Sequence, residues 1–157
     1  VTGAPVALHI DAAMRVALAE AQAAADAGEV PVGAAIVKDG VIIVRAQNRM
    51  VRDVDATSHA ELLALREAMR ITGAARLTGC TLVVTLEPCA MCAGAIVHAR
   101  PDALVFGAWD EKAGMCGSVG DLVRHPKLNH RCEVRGGVHA DESARLLQQF
   151  FSTRRGA

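Results

Sequence analysis

Ile10, Met14 and Leu18 recur at four-residue spacing through residues 9–27, with small alanines between them and Asp11, Arg15, Glu20 and Asp26 interspersed. That period predicts an amphipathic helix, and Gly28 supplies its stop. The pattern then changes to β-rich runs at Pro31–Lys38 and Val41–Gln47, on either side of Asp39-Gly40. This dipeptide tolerates the positive φ angles of a tight turn, so the two runs are expected to form an antiparallel hairpin. Polar residues from Asn48 to Ser58 lead into a second predicted helix, His59 to Ile71, with Leu62, Leu65 and Met69 on one face and Gly73 ending it.

Cys80–Leu86 is a continuous β-branched run of the kind found in a central strand buried on both faces. It passes directly into Glu87-Pro88, after which Cys89–Ala99 reads as a helix closed by Pro101. Ala103–Phe106 is a short strand, Gly107–Gly120 a Gly-rich loop, and a short helical turn is expected near 119–124, ahead of the basic stretch Arg124–Arg131. Glu133–Val138 reads as the last strand. From Asp141 to Arg155, Leu146, Leu147, Phe150 and Phe151 fall at helical spacing among charges, which predicts a terminal helix. Helix, hairpin, then helices alternating with strands make an α/β sandwich whose sheet is antiparallel at the hairpin and parallel where helices cross over. With no repeat, low-complexity run or linker, residues 1–157 are expected to form a single domain with its core at about 9–155.

Composition narrows the class. Apolar residues make up 52% of the chain, but in short runs broken by Gly, Pro or charge, so no membrane partner or span is expected. The first residues lack the basic stretch and long apolar run of a secretory signal, which makes the expected location cytoplasmic. Five cysteines, at 80, 89, 92, 116 and 132, are an odd number in a chain large enough to fold without bridges, so reduced thiols or metal ligands are expected. Formal charge is zero, yet residues 1–120 carry 10 basic against 13 acidic residues while 121–157 carry 7 against 4. That asymmetry suits either an anionic partner or an ordinary solvated surface.

The chemistry lies at two predicted helix starts, His59-Ala60-Glu61 and Pro88-Cys89-Ala90-Met91-Cys92. Cysteines three apart on a helix share a face, and the positive end of the helix dipole favours the thiolates that bind metal. One imidazole and two thiolates leave the fourth tetrahedral position of a zinc ion open, as in a catalytic site. Two thiolates also blunt the ion's effect on water, so a neighbouring base is required, and Glu61 is placed to serve. Each piece has an ordinary alternative: Cys-x-x-Cys as a redox pair, Ser58-x-x-Glu61 as a capping box, His59 as a satisfied surface or core histidine. The conjunction of His-x-Glu, a strand and Pro-Cys-x-x-Cys, in that order, is the signature known for zinc nucleobase deaminases.

From about Glu29 to Arg155 the chain resembles the bacterial tRNA-specific adenosine deaminases. The likeness is carried by Glu29-Val-Pro-Val-Gly33, Asn48, His59-Ala-Glu61, Thr85-Leu-Glu-Pro-Cys-Ala-Met-Cys92, Phe106-Gly-Ala108, Gly117-Ser118, His125-Pro126, Asn129-His130 and Phe150-Phe151. The resemblance implies a three-layer α/β/α sandwich around a five-stranded mixed sheet, one zinc ion per chain, and a homodimer. It also implies an activity, conversion of the wobble adenosine in a tRNA anticodon stem-loop to inosine, by a zinc-bound hydroxide with Glu61 as proton shuttle. By the same resemblance Asn48 would hydrogen-bond the target nucleotide and Val30 and Ala108 would wall the base pocket. Asp110, Lys112, Asn129, Phe151, Arg154 and Arg155 would lie near flanking anticodon nucleotides. Trp109 departs from the pattern at a position that is variable and often basic in the family, and Met50 and Met115-Cys116 depart as well. The competing readings are a deaminase of a free base or nucleoside, such as guanine, cytosine or cytidine, and a zinc-stabilised binding module without catalysis.

Overall fold

The computed structural model describes residues 3–155, and side chains from 9 to 154. Helix α1 (Gly3–Asp26) begins earlier than the sequence pattern predicts and packs against the hairpin of β1 (Gly33–Lys38) and β2 (Val41–Gln47). Asp39 and Gly40 both take positive φ, 51° and 74°, as the predicted tight turn requires. Helix α2 (Ala60–Thr72) leads to β3 (Cys80–Leu86), α3 (Ala90–Ala99), β4 (Ala103–Ala108), β5 (Glu133–Arg135) and α4 (Ala140–Arg155). Sheet order is β2-β1-β3-β4-β5. β1 runs antiparallel to both β2 and β3, whereas β3, β4 and β5 are mutually parallel, so the sheet is mixed and each helical crossover joins strands of one direction.

Alternation along the strands divides the core into two layers. Ala34, Ile36, Leu82, Val84, Leu104 and Phe106 face α2 and α3, and Ala35, Val37, Val83 and Val105 face α1. Truncating a fully buried Leu82 or Phe106 to Ala would cost about 2–5 kcal/mol. Helices approach the sheet closely because their contact residues are small. A Cβ on Gly33 would collide with the Ala17 carbonyl of α1, and α2 buries Ala60, Ala64, Leu65 and Ala68. This corrects the predicted face of α2: Leu62 stays outside the core and Met69 only flanks it.

Two further expectations are corrected. Residues 119–124 form turns and an isolated bridge between Cys116 and Asp121 instead of a helical turn, with Asp121 accepting from the Arg124 amide and guanidinium. The last strand stops at Arg135, since Gly136 and the positive-φ Gly137 turn the chain toward α4. No helix among the described residues is long and apolar enough to cross a membrane.

His139, also at positive φ, ties the start of α4 to α1: its Nε2 lies 2.6 Å from Asp11 Oδ1 and its Nδ1 3.2 Å from Glu142 Oε1. The Asp11 hydrogen bond, then Glu142, raises the imidazole pKa above its ordinary 6.5. The contact therefore stabilises the fold in full below pH 6.5 and is lost as pH rises through the raised value. Asp11→Asn is expected to lower the melting temperature at about pH 6 and to leave it nearly unchanged at about pH 9. Equal shifts at both pH values would contradict an imidazolium at this contact.

Candidate active site

β3 delivers Glu87, Pro88 and Cys89 to the N-terminus of α3, beside the N-terminus of α2 on the same face of the sheet. His59 and Cys89 are the N-cap residues of α2 and α3, both with extended backbone (φ −76°, ψ 149° and φ −75°, ψ 178°), and neither side chain makes a capping bond. They are left to face one another. His59 Nδ1 lies 3.6 Å from Cys89 Sγ and 3.5 Å from Cys92 Sγ, which projects from the first turn of α3 and is fully buried. All three donor atoms fall within 4.8 Å of each other, and among the described residues no fourth Cys, His or carboxylate joins this group.

The electrostatics suit a cation. Cys89 accepts from Cys92 and His59, which lowers its pKa to about 3, while Cys92 is pushed up because it is the donor to that thiolate. The same bond to Cys89 raises His59. These are the donor set and protonation state that exchange protons for a zinc ion. Glu61 is buried, and burial raises its carboxyl above the ordinary range. It does not form the capping box that Ser58-x-x-Glu61 allows, since His59 occupies the N-cap and Ser58 Oγ donates to Asp53 Oδ2 instead (3.2 Å).

His59, Glu61 and Cys89 line a cavity of about 210 Å³ together with Val30, Val32, Asn48, Met50, Leu86, Glu87 and Asp110. The structure thus gathers Val30, Asn48 and Asp110 around the metal donors. Ala108 is buried beneath, its carbonyl accepting the Glu87 amide at 2.9 Å, and Lys112 is exposed on the turn after Asp110. The remaining predicted contacts lie elsewhere. Asn129 sits with Gly94, Val97 and His98 on the outer side of α3. On α4, Phe151 is exposed, and Arg154 covers Phe150 and donates to the Gly28 carbonyl at 2.7 Å. The Arg155 side chain lies outside the described residues.

Two residues without a role in the sequence reading organise the cavity rim. Buried Glu29 accepts the amides of Val51 and Arg52 (2.9 Å each) and the Arg52 guanidinium (3.0 Å), fixing the loop after Asn48. Buried Glu87 accepts the amides of Asp110 (2.9 Å), Cys116 (3.1 Å) and Ser118 (2.9 Å) and the Ser118 hydroxyl. Burial alone would raise both carboxyls, but the amides and hydroxyl outweigh it and hold them below the ordinary range. Both stand in motifs that the sequence makes visible, yet their partners lie 22 to 31 residues away and are mostly backbone amides, which leave no sequence signal.

A cavity sized for a single base, three metal donors and a buried carboxylate on this sheet define a zinc-dependent deaminase. The chain belongs to the family of the cytidine and deoxycytidylate deaminase zinc-binding region, whose model matches residues 9–108. Within it the chain is a member of the tRNA-specific adenosine deaminase group. It is 45% identical over 138 residues to the tRNA-specific adenosine deaminase of Bacillus subtilis, covering 88% of this chain and 86% of the relative. A tRNA(Ile)-lysidine synthase of Deinococcus radiodurans is 51% identical over 143 residues, but the match spans 90% of this chain and 24% of that longer protein. Among solved structures, one from a study of A-to-I editing by tRNA:A34 deaminases superposes with a TM-score of 0.83 at 43% identity, covering 86% of this chain and 98% of the other. A guanine deaminase from Nitrosomonas europaea superposes with a TM-score of 0.79 at 25% identity, covering 90% of this chain and 84% of the other.

Purified protein is expected to carry one zinc ion per chain, measured by elemental analysis. Cys89→Ser and His59→Ala should each lose most of it and melt at lower temperature. Full occupancy in either variant would remove that residue from the metal site.

Proposed function

We propose that this chain deaminates the wobble adenosine of a tRNA anticodon loop to inosine, with His59, Cys89 and Cys92 holding zinc and Glu61 carrying protons. The observation that supports it most is a buried Glu61 sharing one base-sized cavity with the three-donor site. Zinc held by these donors would supply a Lewis acid that makes a water easier to deprotonate, with Glu61 as the base that two thiolate ligands make necessary. Glu61 takes that proton as the water oxygen bonds to C6 of adenine, and passes it to the adjacent ring nitrogen. A second transfer through Glu61 accompanies cleavage of the C6–N bond, so that adenosine and water leave as inosine and ammonia.

Asn48 donates to the Val30 carbonyl and accepts from the Met50 amide, which leaves one amide proton and one lone pair for the target nucleotide. Val30 lines the cavity and would bound the base, with Ala108 in the layer beneath, and at about 210 Å³ the cavity suits a heterocycle with its ribose left at the mouth. Asp110, Lys112, Phe151, Arg154 and Arg155 would approach the flanking nucleotides. Asn129 does not line the cavity of its own chain, and in a homodimer, the assembly the resemblance implies, it would contact the RNA from the partner's side. An enzyme acting on tRNA would work in the cytoplasm. Likeness to a guanine deaminase supports a second reading, hydrolysis of a free base in the same cavity.

Side-by-side ammonia release from an anticodon stem-loop, adenosine, cytidine and guanine separates the two readings. The stem-loop should be turned over most efficiently, and its use should weaken with salt and with charge removal at Lys112 and Arg154. Equal use of a free base, or RNA activity indifferent to both salt and those charges, would overturn the RNA reading. Glu61→Gln is expected to keep zinc and thermal stability while turnover falls about a hundredfold or more. Activity within about threefold of wild type would exclude Glu61 as the proton carrier.

A further inference from the structure

Trp109 follows Ala108 at the end of β4 and precedes Asp110, which lines the cavity. It is 50% exposed, an unusual state for the only tryptophan of a chain that has three phenylalanines and no tyrosine. The indole is nevertheless held firmly. It meets the fully buried Phe106 edge to face, with ring centroids 4.7 Å apart and planes at 89°. Glycines seat it: a Cβ on Gly136 would come within 2.7 Å of Trp109 Cζ2, and one on Gly117 within 3.1 Å of Cζ3. On its other side the chain is pinned by the Asp110 amide, which donates to buried Glu87. An exposed aromatic anchored at these points presents a fixed surface one residue along the chain from the cavity-lining Asp110.

The surroundings indicate what that surface takes. Lys112 is exposed three residues on, and the ideal Cβ position at Gly117 that lies against the indole is also 3.5 Å from the Arg124 guanidinium, which is itself paired with Asp121 and donates to the Cys116 carbonyl, so that Lys112 is the cation left for phosphate. A rigid aromatic surface with cationic groups beside it is the arrangement that binds an unpaired nucleotide, the ring stacking on the base and the cations meeting phosphate. A base turned into the cavity also leaves its chain neighbour unstacked at the mouth, in need of a new stacking partner.

We propose that Trp109 is a stacking subsite for the nucleobase next to the target adenosine in the RNA. This rests on the functional reading above and adds to it a contact that does not depend on charge.

The single tryptophan makes the test direct. Binding of an anticodon stem-loop should quench its fluorescence, and the quenching should be lost when one of the two nucleotides flanking the target is made abasic. Trp109→Ala should raise KM for the stem-loop by about five- to a hundredfold with kcat nearly unchanged, the range that stacking on an aromatic ring supplies. Trp109→Phe should recover most of that loss. Zinc content and turnover of free adenosine, which has no neighbouring base, should stay at wild-type values in both. The slope of log affinity against log salt should be unchanged in Trp109→Ala and steeper in Trp109→Arg. A stem-loop bound and deaminated by Trp109→Ala with wild-type KM, or quenching that survives abasic substitution at both neighbours, would overturn the subsite and leave the function standing. A variant whose only defect is weaker association between chains would overturn it also. A wild-type enzyme that leaves the stem-loop unconverted would overturn the functional reading and the subsite with it.

Discussion

Two helix N-termini meet at the C-terminal end of β3, and they can do so because the residues between helix and sheet are small. Ala60, Ala64 and Ala68 bring α2 against the sheet, and Ala93 and Ala99 do the same for α3. A larger residue at any of these places would push its helix outward and part His59 from Cys89. The separations of 3.5 and 3.6 Å among imidazole and thiols are therefore set by alanines that take no part in the chemistry. Close packing transmits such a shift instead of absorbing it. The extended backbone at both N-caps completes the arrangement, turning the two side chains toward each other rather than back onto their own helices.

Three buried glutamates surround the cavity and differ in fate. Glu29 and Glu87 are each given enough backbone amides to remain anionic without water, and each uses that charge to hold a rim loop. Glu61 has no comparable set of amide donors from other segments, and burial dominates, raising its pKa. The same side chain is thus structural where donors are plentiful and suited to proton transfer where they are scarce. Gly114 shows how tightly the structural role is drawn, since any side chain there would run into the Glu87 carboxyl.

The elements that the sequence reveals are those specified by local rules. Cys80–Leu86 stands out because a strand covered on both faces is apolar throughout, and the hairpin because Asp39-Gly40 accepts positive φ at both turn positions. The three-donor cluster and the buried Glu61 beside it fall on residues that spacing and order, matched to the known deaminase signature, single out. What stayed hidden depends on tertiary contact. Leu62, Leu65 and Met69 have the right period for a core face, yet only Leu65 of the three is buried, and the rest of the face against the sheet is made by Ala60, Ala64 and Ala68. Residues 119–124, where a short helical turn is expected, are instead held as turns by the Cys116 to Asp121 bridge and the Asp121–Arg124 pair. Glu29 and Glu87 gave no sign of their roles because most of their partners are backbone amides, which every residue but proline possesses, and the Arg52 and Ser118 side chains that join them lie far along the chain. Arg154 shows the reverse case: a charge that invites an RNA contact also closes the gap between α4 and the end of α1 through the Gly28 carbonyl.

The central claim, that this cavity acts on one adenosine within an RNA loop, is tested most directly by mapping the product. Wild-type enzyme would be incubated with two anticodon stem-loops, one carrying adenosine at the wobble position and the other carrying it one nucleotide away, and inosine located by mass spectrometry of nuclease fragments. The account predicts inosine at the wobble position of the first RNA and little or none in the second. Equal conversion of both, or no inosine in either from enzyme that releases ammonia from free guanine, would contradict it.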